Sequence, residues 1–121
     1  MSYNSEIILS IQTHPGDSTE TVVTGTAFKG DGYYSRSDGF HTVQYNVVGF
    51  IGTINMQATL STTPVEADWF TVTSAVHTST AADSANSDGS FIKNFTGNYI
   101  WVRAVVSNWT DGSVTSILLN H

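Results

Sequence analysis

Between Thr42 and Leu60 the chain alternates apolar and polar positions. Val43, Tyr45 and Val47 fall on one side with Ile54, Met56, Ala58 and Leu60, which follow a turn near Gly49 to Gly52, while Gln44, Asn46, Asn55, Gln57 and Thr59 face the other. Successive side chains of a strand point to opposite faces, so this pattern predicts an antiparallel hairpin, apolar inside and amide-rich outside. β-branched and aromatic residues alternating with polar ones predict further strands at Glu6 to Thr13, Thr21 to Phe28, Trp69 to Ser74, Phe91 to Phe95, Tyr99 to Asn108 and Val114 to Asn120. No window holds apolar residues at helical spacing over three turns, so helices are not expected.

The last two predicted strands are apolar on both faces. Ile100, Val102, Ala104 and Val106 oppose Tyr99, Trp101, Arg103 and Val105, and Val114 and Leu118 oppose Ile117 and Leu119. Such strands need an outer cover, which a loop or another subunit can supply. Asp-Gly pairs occur at 31–32, 38–39, 88–89 and 111–112. Asp closes turns with its own backbone and Gly accepts positive φ, so Asp111-Gly112 predicts a hairpin joining those two strands. The segment Ala75 to Ser90 has no large apolar residue after Val76 and reads as a long surface loop. With no linker or repeat, residues 1–121 form a single domain. The expected class is all-β, an antiparallel two-sheet β-sandwich of about eight strands, jelly-roll-like.

At 121 residues such a domain buries enough surface to stand without disulfide or metal. The chain has no cysteine, which excludes thiol catalysis, thiolate metal sites and disulfides. Four Lys and Arg against ten acids leave a formal charge of −6, which repels polyphosphate, so nucleic acid is not an expected partner. Charged residues make up 12% of the chain, about half the usual share; surfaces of this kind suit packing against neighbours and also lectin-like binding. Met1 to Glu6 carry no export-signal pattern, and no apolar run is long enough to span a bilayer. Synthesis in the cytoplasm and no membrane contact are the expectation.

Candidate chemistry is sparse. His14, His41, His77 and His121 are scattered, so no catalytic residues are expected. Asp17, Asp31, Asp38, Asp83, Asp88 and Asp111 lie in loops without the alternating spacing of a calcium site, and turn geometry already explains the Asp-Gly pairs, so neither metal nor cofactor is expected. Asn94-Phe95-Thr96 and Asn108-Trp109-Thr110 match the glycosylation pattern by coincidence in a Thr-rich chain. Trp69, Trp101, Trp109, Tyr33 and Tyr34 could form a stacking platform for sugar. Against this, Trp69 and Phe70 would start a strand in the core, and Trp109 would cap a hairpin. For Trp101, beside Arg103, a subunit contact and a ligand are both open. Tyr99, Trp101, Arg103, Ile117 and Leu119 are therefore the candidate subunit contact or ligand platform.

The run from Phe40 to Phe50, then Gly52 to Leu60, Asp68-Trp69-Phe70, Phe95 to Arg103 and the closing Asp111 to His121 resembles small β-sandwich virion structural proteins of tailed bacteriophages, especially marine and cyanobacterial ones. The pattern is also similar to discoidin-like jelly rolls that bind sugars. The first resemblance implies a place in the virion, as capsid decoration, neck or tail component or short fibre module. Its implied partners are copies of itself and other virion proteins, with no catalytic residue. The alternative is a carbohydrate-binding module that uses Trp101, Tyr99, Tyr33 or Trp109 and meets host surface polysaccharide.

Overall fold

A computed structural model describes residues 5–14, 22–34, 39–80 and 87–120. Two strands dominate it: β5 (Phe40–Thr59) and β8 (Trp101–Asn120) are each 20 residues long, far beyond the usual five or six or so. They run antiparallel side by side from Thr42 opposite Asn120 to Thr59 opposite Trp101. Four short strands, β1 (Ser5–Leu9), β2 (Gln12–Thr13), β3 (Val23–Thr24) and β4 (Phe28–Lys29), add to the free side of β8. On the other side, β6 (Phe70–Ser79) and β7 (Gly89–Thr96) add to β5.

The ladder thus divides into two layers. The first half of β5 lies between β7 and the C-terminal half of β8, which carries β1 and β2. The second half lies between β6 and the N-terminal half of β8, which carries β3 and β4. Contacts between the layers fold them onto one core. The Tyr45 hydroxyl in β5 donates to the Ala75 carbonyl in β6 at 2.6 Å, and His77 of β6 stacks on Phe91 of β7 at 4.2 Å. The fold is an all-β antiparallel sandwich, as the alternation predicts. Desolvation holds the buried Tyr45 phenol well above its ordinary pKa, so it keeps its proton for that bond.

Neither expected hairpin forms. Gly49 to Gly52 and Asp111-Gly112 sit opposite one another inside the long ladder, as register shifts that bend both strands at the same level. Gly49 at φ 60° and Gly112 at φ 83° supply the left-handed conformations such irregularities require, as does Asn108 at φ 49°, a residue type that tolerates them. Ile51 pairs with Asp111 and Thr53 with Ser107. Asn108, Trp109 and Thr110 therefore bulge opposite Gly52 alone. Trp109 does not cap a hairpin: it is 1% exposed, with Nε1 donating to the Asp111 carbonyl at 3.1 Å.

Bulges also reset which residues face inward. Val43, Tyr45 and Val47 share the core with Ile54, Met56 and Ala58, but Leu60 is exposed. On β8, Val47 opposes Val114 whereas Asn46 opposes Ser116, so Thr115 is the extra residue. In consequence Val114, Ile117 and Leu119 all face the core instead of dividing between two faces. Phe70 is exposed and Trp69 half-buried, so neither belongs to the core. Of the expected loop from Ala75 to Ser90, residues 75–79 and 89–90 are strand, and residues 81–86 lie outside the described residues. β6 continues to Ser79 and β7 begins at Gly89, because small Ala75 and the ring of His77 fill the inward positions.

Candidate functional site

The face carrying Trp101 and Arg103 is covered by the protein's own chain. A short helical turn, Glu66–Asp68, lies over it with the residues on either side. Trp101 Nε1 donates to the Thr62 carbonyl at 3.1 Å. Arg103 donates through Nη2 and Nη1 to the Glu66 carboxylate at 2.8 and 3.3 Å and through Nε to Gln57 at 2.8 Å. Its guanidinium also stacks 4.3 Å from the centre of the Trp69 ring. A planar fork can do all three at once, which an ammonium cannot. The cover that the two-faced strand requires is therefore intramolecular, and Arg103 is buried beneath it. On this same outer side Asn55 and Thr59 are buried too, so the wet amide face expected there stops short of them.

Hydrogen bonds from Arg103 and its charge hold the Glu66 carboxyl below its ordinary value of 4.5. A lowered folded-state pKa means the pair stabilises the closed loop above the unfolded value and is lost as pH falls through the folded one. Acidification below 4.5 should therefore loosen this loop while the core persists, seen as a change in tryptophan fluorescence from Trp69 and Trp101. Glu66→Gln should remove that acid step; an identical step in the variant would assign it to another group. Glu66 is exposed to solvent, so the pair adds little to global stability.

Of the candidate contact residues, Ile117 and Leu119 are fully buried and present no surface. Tyr99 opens onto a cavity. That cavity, about 700 Å³, lies between β6 and the paired ends of β5 and β7. Phe40 and Phe70 are its exposed aromatic residues, 66% and 46% accessible. The Tyr99 ring meets Phe70 edge-on at 5.7 Å, and its hydroxyl donates to the Thr96 carbonyl at 3.4 Å. Asn94 accepts a bond from Thr42 at 2.8 Å through Oδ1, which leaves its Nδ2 to donate. Thr71, Thr73 and Ser74 of β6 add exposed hydroxyls. Among the described residues no Asp, Glu, Lys or Arg lines the groove. Phe40, Phe70 and Asn94 escape sequence reasoning because they come from three strands and only the ladder unites them.

A second uncovered surface is the outer face of the first layer. Ile7 pairs with Leu118, Leu118 with Gln44 and Gln44 with Ile92, a row that crosses all four strands. Beside it Asn46 donates to Ser116 at 2.9 Å and accepts from Gln44 at 2.9 Å and Ser90 at 2.6 Å. Ile7 and Ile92, at opposite ends of the row, are 61% and 60% exposed.

The histidines serve as packing rings. His14 meets Trp109 edge-on at 4.9 Å, His41 stacks on Phe95 at 4.7 Å, and His77 lies on Phe91. Asp88 accepts from the amide of Gly49, on another strand, and Asp111 from the amide of its neighbour Gly112, both at 2.8 Å. The Tyr33 ring lies 5.3 Å from that of Trp101, with the Lys29 ammonium over it, 4.6 Å from its centre. Among the described residues no group of three or more His, Asp or Glu could hold a metal ion. Asp17, Asp38, Asp83 and His121, with the side chains of Asp31 and Tyr34, lie outside the described residues.

No protein-family model and no curated protein matches this sequence. Among solved structures, the SPBc2 prophage-derived protein YomS is similar at 12% identity and TM-score 0.52, over 98% of this chain and 90% of that one. Reduced XRCC1 bound to the catalytic domain of DNA polymerase β matches at 11% identity and TM-score 0.49, over 96% and 98% of the two chains. A family 29 carbohydrate-binding module from Piromyces equi, CBM29_1, matches at 12% identity and TM-score 0.49, over 100% and 93%. At such identities the likeness is one of fold.

Proposed function

We propose that this chain is a non-enzymatic structural module of a tailed-phage virion that works by binding copies of itself or other virion proteins. The observation that carries this reading is the outer face of the first layer, where Ile7 and Ile92 stand exposed beside Gln44, Asn46, Ser90 and Ser116, which are neutral and hydrogen-bonded to one another. Burying such a face removes apolar surface from water without stripping any charge of its hydration. With the Trp101 face already covered, the subunit contact belongs here. The phage setting is supported by the resemblance of the segments from Phe40 to His121 and by the shared fold of a prophage-derived protein. The second reading, a carbohydrate-binding module, is favoured by the aromatic groove, whose described lining carries no charge. Both can hold for one virion protein.

Ile92→Glu should leave the circular dichroism of the protein unchanged, shift its sedimentation toward the monomer and reduce its recovery in purified particles. Trp101→Asp, whose target ring lies under its own loop, should leave assembly intact. A wild-type protein that is monomeric and absent from particles by mass spectrometry would overturn the proposal.

A further inference from the structure

We propose that the groove between β6 and the paired ends of β5 and β7 binds a neutral oligosaccharide. The inference deepens the reading of this chain as a binding module and rests on it. The volume of about 700 Å³ falls within the usual range for ligand sites, roughly 300–1,000 Å³. Its lining is the more informative property. In a chain of net charge −6, a groove with no Asp, Glu, Lys or Arg among its described residues offers an ionic ligand no counter-charge from them and does not repel an uncharged one.

The rings and polar groups narrow the class further. Phe40 and Phe70 keep large apolar surfaces in water, which is unfavourable unless something covers them. The carbon–hydrogen faces of a pyranose ring are flat and apolar and suit such surfaces, with Tyr99, edge-on to Phe70, as an amphipathic ring. Around these rings stand the Asn94 amide and the hydroxyls of Thr71 and Thr73. Each hydroxyl both donates and accepts, as sugar hydroxyls do. A lipid tail would leave these polar groups unpaired. A peptide added to the edge of β6 or β7 would be read through backbone groups and would have no need of this array.

The test is a titration of the full chain, followed by nuclear magnetic resonance, with cellohexaose, laminarihexaose and mannohexaose in turn, and with hexaalanine as the peptide probe. At least one hexasaccharide should shift the signals of Phe40, Phe70, Asn94 and Tyr99 while hexaalanine does not. Phe70→Ala and Tyr99→Ala should each weaken binding about ten-fold, the loss of one ring contact. Tyr99→Phe, which keeps the ring, should restore most of it, so a loss in Tyr99→Ala caused by misfolding is recognised. Ile92→Glu should bind sugar normally, and Phe70→Ala should still enter particles. Binding to none of the three sugars, binding insensitive to Phe70→Ala and Tyr99→Ala, or shifts at these residues with hexaalanine alone would each overturn the assignment. Because Ile92 is not among the groove residues, assembly and sugar binding are read by different variants, so failure of the groove would leave the virion reading intact, and the reverse also holds.

Discussion

Gly112→Ala should unfold the protein or lower its melting temperature by many degrees. Gly112 sits at φ 83°, a conformation that costs an alanine about 1–2 kcal/mol. Space is the larger problem. A β-carbon there would lie 2.1 Å from the Gly49 carbonyl oxygen and 2.6 Å from the Phe50 nitrogen. Both are backbone atoms of the partner strand at the level where both long strands bend, so relief requires one strand to move away from the other. The combined loss should exceed about 3 kcal/mol, a large share of the roughly 5–15 kcal/mol that holds a domain of ordinary stability. Gly49→Ala is the matched control. Its φ is similar, 60°, yet nothing lies within 4 Å of the added carbon, so it should lose only about 1–2 kcal/mol. Thermal unfolding of the two variants side by side separates conformational strain from collision; equal losses would show that the strands do not press together here.

Trp109→Ala should cost about 3–5 kcal/mol, the range for deleting a buried large aromatic side chain. The ring is 1% exposed and is bounded by His14, edge-on at 4.9 Å. The bulge that carries it also packs its Cα 3.0 Å from where a side chain on Gly52 would begin. The void would open where the two layers turn into one another, and the short pairing of β2 with Val114 and Ser113 has little means of collapsing into it. Urea unfolding at constant slope reads the loss directly. Trp109→Phe should recover most of it, except for the Nε1 bond to the Asp111 carbonyl, worth about 1 kcal/mol. A loss below about 1 kcal/mol in Trp109→Ala would mean that the ring is not a packing element.

Part of the candidate site was legible before the fold. Trp101 and Arg103 stand out as an amphipathic pair on a strand apolar on both sides, and the need for a cover follows from alternation alone. Which cover it is depends on Glu66, 37 residues away along the chain, and nothing in the local pattern of 60–69 announces a lid. Strict alternation sets Ile117 and Leu119 on the face opposite Val114, and one extra residue at Thr115 brings them onto its side. The groove residues carry weaker signals still. Phe40 and Phe70 each begin a strand, where an aromatic residue reads as the edge of a core, and they share a cavity only because β6 and the end of β7 flank opposite halves of β5.

The sequence by itself determined the β class, the inward set Val43, Tyr45, Val47, Ile54, Met56 and Ala58, and the points where the backbone would turn. These are local properties, since side-chain alternation is fixed by strand geometry and positive φ by the residues that tolerate it. Only the tertiary structure decided what those turning points become. A glycine in a left-handed conformation can close a hairpin or bend a continuous strand, and the choice depends on whether a partner strand offers an unbroken ladder past it. Here β5 and β8 each supply that ladder to the other, so Gly49 and Gly112 meet face to face and two expected hairpins become one folded pair of long strands.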